Sequence, residues 1–188
     1  LGGAMDNDVY GPTRHPWDQH LCPGFSSGGS AAIIAAGGSP LDFGTDTGGS
    51  IREPAHFCGI AGIKPTAGRV PRTGHAVPFG LGPLDVLTQI GPMARTVSDL
   101  KIALKVIEGP DWRDPAVVHA PTGDMSVIPI KGLRIAWYTD GGLAKPIQAI
   151  ATAIESAASK LAQSGARTTL AAPQVLPRSA DLYPALCY

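Results

Sequence analysis

Apolar residues along this chain come in short bursts separated by glycine and proline, so the expected elements are brief. Residues 1 to 25 are rich in Gly, Pro, Asn and Asp and read as irregular loop. The small apolar run Ser30 to Ala36 predicts a short buried helix that starts from the Ser26-Ser27-Gly28-Gly29 turn and stops at Gly37-Gly38. Leu41 to Gly44 predicts a brief buried strand ending at Thr45-Asp46, and a second glycine turn, Thr47 to Ser50, leads into Ile51 to Phe57. Pro54 keeps that last piece short unless it sits in a first helical turn. Ile63 to Pro92 reads mostly as loop with short strands. Thr96 to Val106 predicts a clearer helix: Val97, Leu100, Ala103, Leu104 and Ile107 recur at helical spacing, and Thr96 with Asp99 three residues on resembles a capping box. Four prolines make 109 to 129 an external connection. Strand Leu133–Tyr138, amphipathic helix Ile147–Gln163 and strand Arg167–Leu170 then form a β-α-β order, which favours parallel strands covered by helices.

Composition narrows the function classes. Gly and Pro, 24 and 18 among 188 residues, make up about a fifth of the chain, yet no Gly-X-Y period runs through it, so collagen is excluded. Charged residues are only 16% and hydrophobic ones 44%, the reverse of a disordered composition. Fifteen basic and fifteen acidic residues cancel, which removes the electrostatic argument for nucleic acid or an anionic membrane surface and leaves a small or neutral ligand. Cys22, Cys58 and Cys187 cannot all pair internally and include no C-x-x-C, so neither a disulfide framework nor a zinc site is indicated, and a reducing, cytoplasmic setting fits. No run of eighteen apolar residues and no signal-peptide pattern is present. Leu1 at the start and the uncapped Pro184 to Tyr188 at the end read as the limits of an internal segment.

Candidate chemistry concentrates in the two glycine turns, Gly24 to Ser30 (GFSSGGS) and Gly44 to Ser50 (GTDTGGS). Each offers hydroxyls and unhindered backbone N–H groups that can converge on one negative oxygen. Each also suits a plain helix start, where Ser and Gly are favoured. No Lys follows either turn as a phosphate loop needs, and no G-x-G-x-x-G occurs. The five histidines, His56 and His75 among them, read as surface, turn or satisfied core residues. Asp46 and Arg52 bracket the second turn and are expected to support it by a charge-assisted hydrogen bond. Lys64, just before Pro65, reads as a solvated turn residue and not as a base.

These motifs together resemble the amidase signature family. The resemblance rests on GFSSGGS (Gly24 to Ser30), on LDFGTDTGGSIREPA (Leu41 to Ala55), on Phe57-Cys58-Gly59, on Gly62-Ile63-Lys64-Pro65-Thr66 and on Gly91-Pro92-Met93-Ala94-Arg95-Thr96, in the family's order. GPTRHPW (Gly11 to Trp17) is close to the approach to its first serine. Likeness is strong from about Asn7 to Leu104 and weak beyond Gly109. The resemblance implies that Ser50 is a nucleophile and that Ser26, 24 residues earlier, is a bridging serine held after a cis peptide bond. It implies an oxyanion hole in the N–H groups of Thr47, Gly48, Gly49 and Ser50. It also implies a catalytic Lys upstream of the first serine, whereas the first lysine here is Lys64. Phe25 departs from the family's usual Gly.

The resulting expectation is an α/β fold with a mixed, mainly parallel sheet and helices on both faces, present only in part. Its expected organisation is a signature core over 1–108, a loop connection over 109–130, a β-α-β unit over 131–172 and a truncated end over 173–188. The implied activity is serine-based hydrolysis of a small-molecule amide through an acyl-enzyme, with no cofactor and no metal. With no lysine before Ser26, the segment alone is expected to hydrolyse amides weakly. Two other readings stay open: an amidotransferase subunit that releases ammonia from glutamine, and an inactive fragment whose turns only bind an anion. Nothing in the sequence excludes a homo-oligomer.

Overall fold

A computed structural model of the chain describes residues 5–75, 87–120, 122–124 and 128–182. It divides into two compact units, Leu1–Thr122 and Gly123–Tyr188.

In the first unit the elements are α1 (Gly28–Ala35), β1 (Leu41–Asp46), α2 (Arg52–Cys58), β2 (Ala61–Gly62), β3 (Gln89–Ala94) and α3 (Val97–Ile107). Helix α1 buries Gly28, Ala31 and Ile34, spaced by three, and closes with Gly37 and Gly38 donating to the Ile34 and Ile33 carbonyls. Helix α2 tolerates Pro54 because its third residue has no intrahelical partner for an N–H. Thr96 caps α3 by accepting the Asp99 N–H at 3.2 Å, and its hydroxyl donates to the Asp99 carboxylate at 2.7 Å, so the pair closes through one backbone and one side-chain bond.

Three strands pair in the order β1-β3-β2, antiparallel throughout, with Leu41 opposite Ala94 and Asp46 opposite Gln89. Among the described residues parallel pairing is found in the second unit, as its β-α-β order predicts. The core of the first unit gathers Ala31, Ile34, Ile51, Ala55, Cys58 and Met93 from α1, α2 with the residue before it, and β3. Two glycines let this layer close. A Cβ on Gly44 would lie 2.7 Å from Ser27 Oγ and 2.9 Å from Met93 Sδ, and one on Gly91 would lie 2.0 Å from the Ile63 carbonyl oxygen. Because that oxygen is backbone and cannot swing away, Gly91→Ala is expected to cost about 2–3 kcal/mol, read as a lower urea midpoint. An unchanged midpoint would show that β3 can shift freely.

The described residues 108–120 and 122–124, after α3, form no helix or strand and are pinned by side-chain hydrogen bonds. Arg69 donates to Glu108 (2.9 Å), to the Ala120 carbonyl (2.8 Å) and to Thr122 Oγ1 (2.7 Å). Buried Asp114 accepts the Arg72 N–H at 2.9 Å and the Ala116 N–H at 3.0 Å. Charge here serves packing, which proline content alone does not reveal.

In the second unit, β4 (Arg134–Trp137), α4 (Gln148–Gln163) and β5 (Arg167–Leu170) form a parallel pair joined through a helix, with Arg134 opposite Arg167. Among its described residues Ala158 and Ala166 are the buried apolar ones. A 3₁₀ turn, Leu176–Arg178, follows. Among the described residues no helix is long and apolar enough to cross a membrane.

Candidate active site

The two glycine turns lie against one another. Gly24 packs so closely on α2 that a Cβ there would sit 2.6 Å from Pro54 Cα. On the other flank Ser27, the residue before α1, does not cap its own helix: its hydroxyl donates to the Thr45 carbonyl at 3.3 Å and accepts the Thr45 N–H at 3.2 Å. The missing side chain at Gly44 leaves room for that bridge. Thus the first turn is tied to the strand that leads into the second.

Within the second turn, the Asp46 side chain is fully buried and is held mainly by its own loop. Oδ1 accepts the Gly49 N–H at 2.8 Å, and Oδ2 accepts the N–H groups of Ile51 (3.1 Å) and Arg52 (3.3 Å). The Arg52 guanidinium closes a two-pronged pair, Nε to Oδ2 and Nη2 to Oδ1, both 2.9 Å. Burial alone would raise the Asp46 pKa, but the Arg52 hydrogen bond, those from the Ile51 and Arg52 N–H groups and the Arg52 charge outweigh it and lower it to about 2. The same hydrogen bond raises the pKa of Arg52.

Lys64 is not the solvated residue its position before Pro65 suggests. Its side chain is only 19% exposed; Nζ donates to the Thr47 carbonyl at 3.2 Å and lies 3.7 Å from Asp46 Oδ1. Thr47 Oγ1 shares a hydrogen bond with Thr88 Oγ1 at 2.7 Å. Carboxylate, guanidinium and lysine together fix the turn at both ends.

Ser50 follows the turn and is buried, at 9% exposure, whereas Ser26 is exposed. Neither hydroxyl makes a hydrogen bond among the described residues, and the two are not bonded to each other. The N–H groups of Thr47, Gly48 and Ser50 are likewise without a protein acceptor there, while that of Gly49 is committed to Asp46. All peptide bonds of the described residues are trans, so the cis link expected before Ser26 is absent. A non-proline cis bond costs about 3–4 kcal/mol, and Phe25 and Ser26 are both exposed.

Of the histidines, His15 is a satisfied interior residue: Nε2 donates to the Phe57 carbonyl at 2.9 Å and Nδ1 accepts the Trp17 N–H at 3.2 Å. Among the described residues no three metal-ligating side chains gather to hold an ion.

The profile of the Amidase family matches residues 1–188. The chain belongs to the amidase signature family. The A-subunit of the glutamyl-tRNA(Gln) amidotransferase of Chloroflexus aggregans is 50% identical over 138 residues, 72% of this chain and 27% of that protein. Its counterpart in Roseiflexus castenholzii is 47% identical over 162 residues, 82% of this chain and 32% of that one. Among solved structures of amidase signature members, fatty acid amide hydrolase superposes with a TM-score of 0.88 at 31% identity over 99% of this chain and 33% of its own. The glutamyl-tRNA(Gln) amidotransferase A-subunit of Thermotoga maritima superposes at 0.85 and 33% identity over all of this chain and 42% of its own. The chain therefore spans about a third of the length of the relatives it matches.

Proposed function

We propose that this chain carries the nucleophile and the anion-binding part of an amide hydrolase, with Ser50 as nucleophile and Ser26 as the bridging hydroxyl. The observation that supports it most is the second turn: a buried serine adjoins three N–H groups without protein acceptors, in a loop held by Asp46, Arg52 and Lys64. In this reading a base takes the Ser26 proton as Ser26 takes that of Ser50, and Ser50 Oγ forms a bond to the amide carbon. The carbonyl π electrons move onto oxygen, where the N–H groups of Thr47, Gly48 and Ser50 hold the charge. Collapse re-forms the carbonyl and breaks C–N, the leaving amine takes the proton back through Ser26, and water releases the acyl group by the reverse path.

Gly49 is a support of the hole and not a donor in it, because its N–H faces Asp46. Lys64 donates to the Thr47 carbonyl and is read as a support of the turn; the family resemblance implies a base lysine upstream of Ser26, and residues 1–63 contain no lysine. Amide turnover followed by acid quench and peptide mass mapping tests the reading in the full-length protein. An acyl group on Ser50 is expected; one on any other residue would overturn it.

A second reading is favoured by the relatives at 47–50% identity, which are amidotransferase subunits: this chain would belong to a subunit that releases ammonia from glutamine for a partner. Glutaminase activity that rises on adding partner subunits would support it. Steady hydrolysis of simple amides without any partner would favour the free-standing enzyme.

A further inference from the structure

The turn before Ser50 is held in two separate ways. Asp46 gathers the N–H groups of Gly49, Ile51 and Arg52, which fixes the part of the turn around and after the serine. Among the described residues the peptide that joins Thr47 to Gly48 makes no bond to that carboxylate. Its carbonyl instead accepts from Lys64 Nζ at 3.2 Å, and the lysine side chain is only 19% exposed, with Nζ 3.7 Å from Asp46 Oδ1. A trans peptide carries its C=O and its N–H on opposite sides, and the described peptide bonds are all trans. A donor on the Thr47 oxygen therefore directs the Gly48 N–H away from Lys64. Gly48 has no Cβ to resist turning this peptide over. The overturned peptide would aim a carbonyl at a developing oxyanion and an N–H at an ammonium, and both contacts repel.

We propose that Lys64 is a positioning residue of the hydrolytic site: its ammonium group locks the Thr47–Gly48 peptide in the orientation that presents the Gly48 N–H to the oxyanion. Lys64 acts through this one peptide plane and does not serve as the base. Its charge also polarises the peptide it binds, which strengthens the N–H at the far side as a donor. Asp46 in turn offsets the cost of keeping an ammonium largely out of water. The inference rests on the nucleophile reading above and adds to it the residue that orients one of the three donors.

The test uses the full-length protein carrying this chain and the substitution Lys64→Met, which keeps the apolar stem and removes donor and charge. The probe of the hole is a trifluoromethyl ketone, whose adduct places an oxyanion there. Expected is a roughly tenfold to hundredfold fall in kcat on a simple amide, with KM little changed and the ketone bound more weakly by a similar factor. Exhaustive fluorophosphonate labelling should count as many reactive Ser50 as in the parent, which a general loss of structure would not leave intact. Lys64→Arg, which keeps charge and donors, should restore kcat to within about threefold of the parent. Should Lys64→Met not fold, Lys64→Gln, with a neutral donor, is read in the same way, and failure of both to fold overturns the assignment. An unchanged kcat, a rise in KM alone, fewer reactive serines in proportion to the lost rate, or no rescue by Lys64→Arg would also overturn it. Labelling of Ser50 in the parent with ketone affinity indifferent to Lys64→Met removes this inference alone. No labelling of Ser50 in the parent, with kcat and ketone affinity still lowered by Lys64→Met, removes the nucleophile reading alone.

Discussion

Asp46→Ala is expected to destabilise the first unit by about 3–5 kcal/mol and to abolish amide turnover together with it. The substitution strands three backbone N–H groups, of Gly49, Ile51 and Arg52, and leaves the Arg52 guanidinium and Lys64 without their shared carboxylate. Urea unfolding at neutral pH measures the loss; a change under about 1 kcal/mol would mean that the turn is held by packing alone. The same carboxylate sets an acid limit. Its pKa in the fold is about 2 against an ordinary 3.8, so its contribution of about 2 kcal/mol is complete above about pH 4 and disappears as pH falls through about 2. Asp46→Asn should flatten this part of the stability profile, and a profile as steep as that of the parent would assign the acid transition to another group.

Ser50→Ala has the largest expected effect on rate. In the proposed mechanism no acyl-enzyme forms without the hydroxyl, so kcat should drop by roughly 10⁴-fold or more, with substrate binding little changed because the N–H groups remain. If Ser26 is the relay proposed above, Ser26→Ala should leave a slower reaction that still acylates Ser50. Steady-state kinetics on both variants checks the order: a Ser50→Ala protein with more than about a hundredth of the parent rate would exclude Ser50 as nucleophile.

Local pattern made much of this site readable. Asp46, Arg52 and Ser50 lie within seven consecutive positions, so their relation is set by one turn, and the pairing anticipated for Asp46 and Arg52 is present. What depends on distant partners was not readable. Lys64 looks like a surface residue because its partner, the Thr47 carbonyl, lies 17 positions away. Ser26 and Ser27 are adjacent and chemically alike; only the space at Gly44, in another element, turns Ser27 inward. Strand β3 is hidden by Gly91 and Pro92, which punctuate the sequence where a neighbouring backbone must come close.

The saturation of Asp46 has a wider consequence. A carboxylate whose lone pairs are all engaged by its own loop offers nothing to an incoming molecule, so recognition must fall to groups that still have spare hydrogen-bonding capacity. The ordering entropy of the loop is met once, when the chain folds, and need not be met again at each turnover.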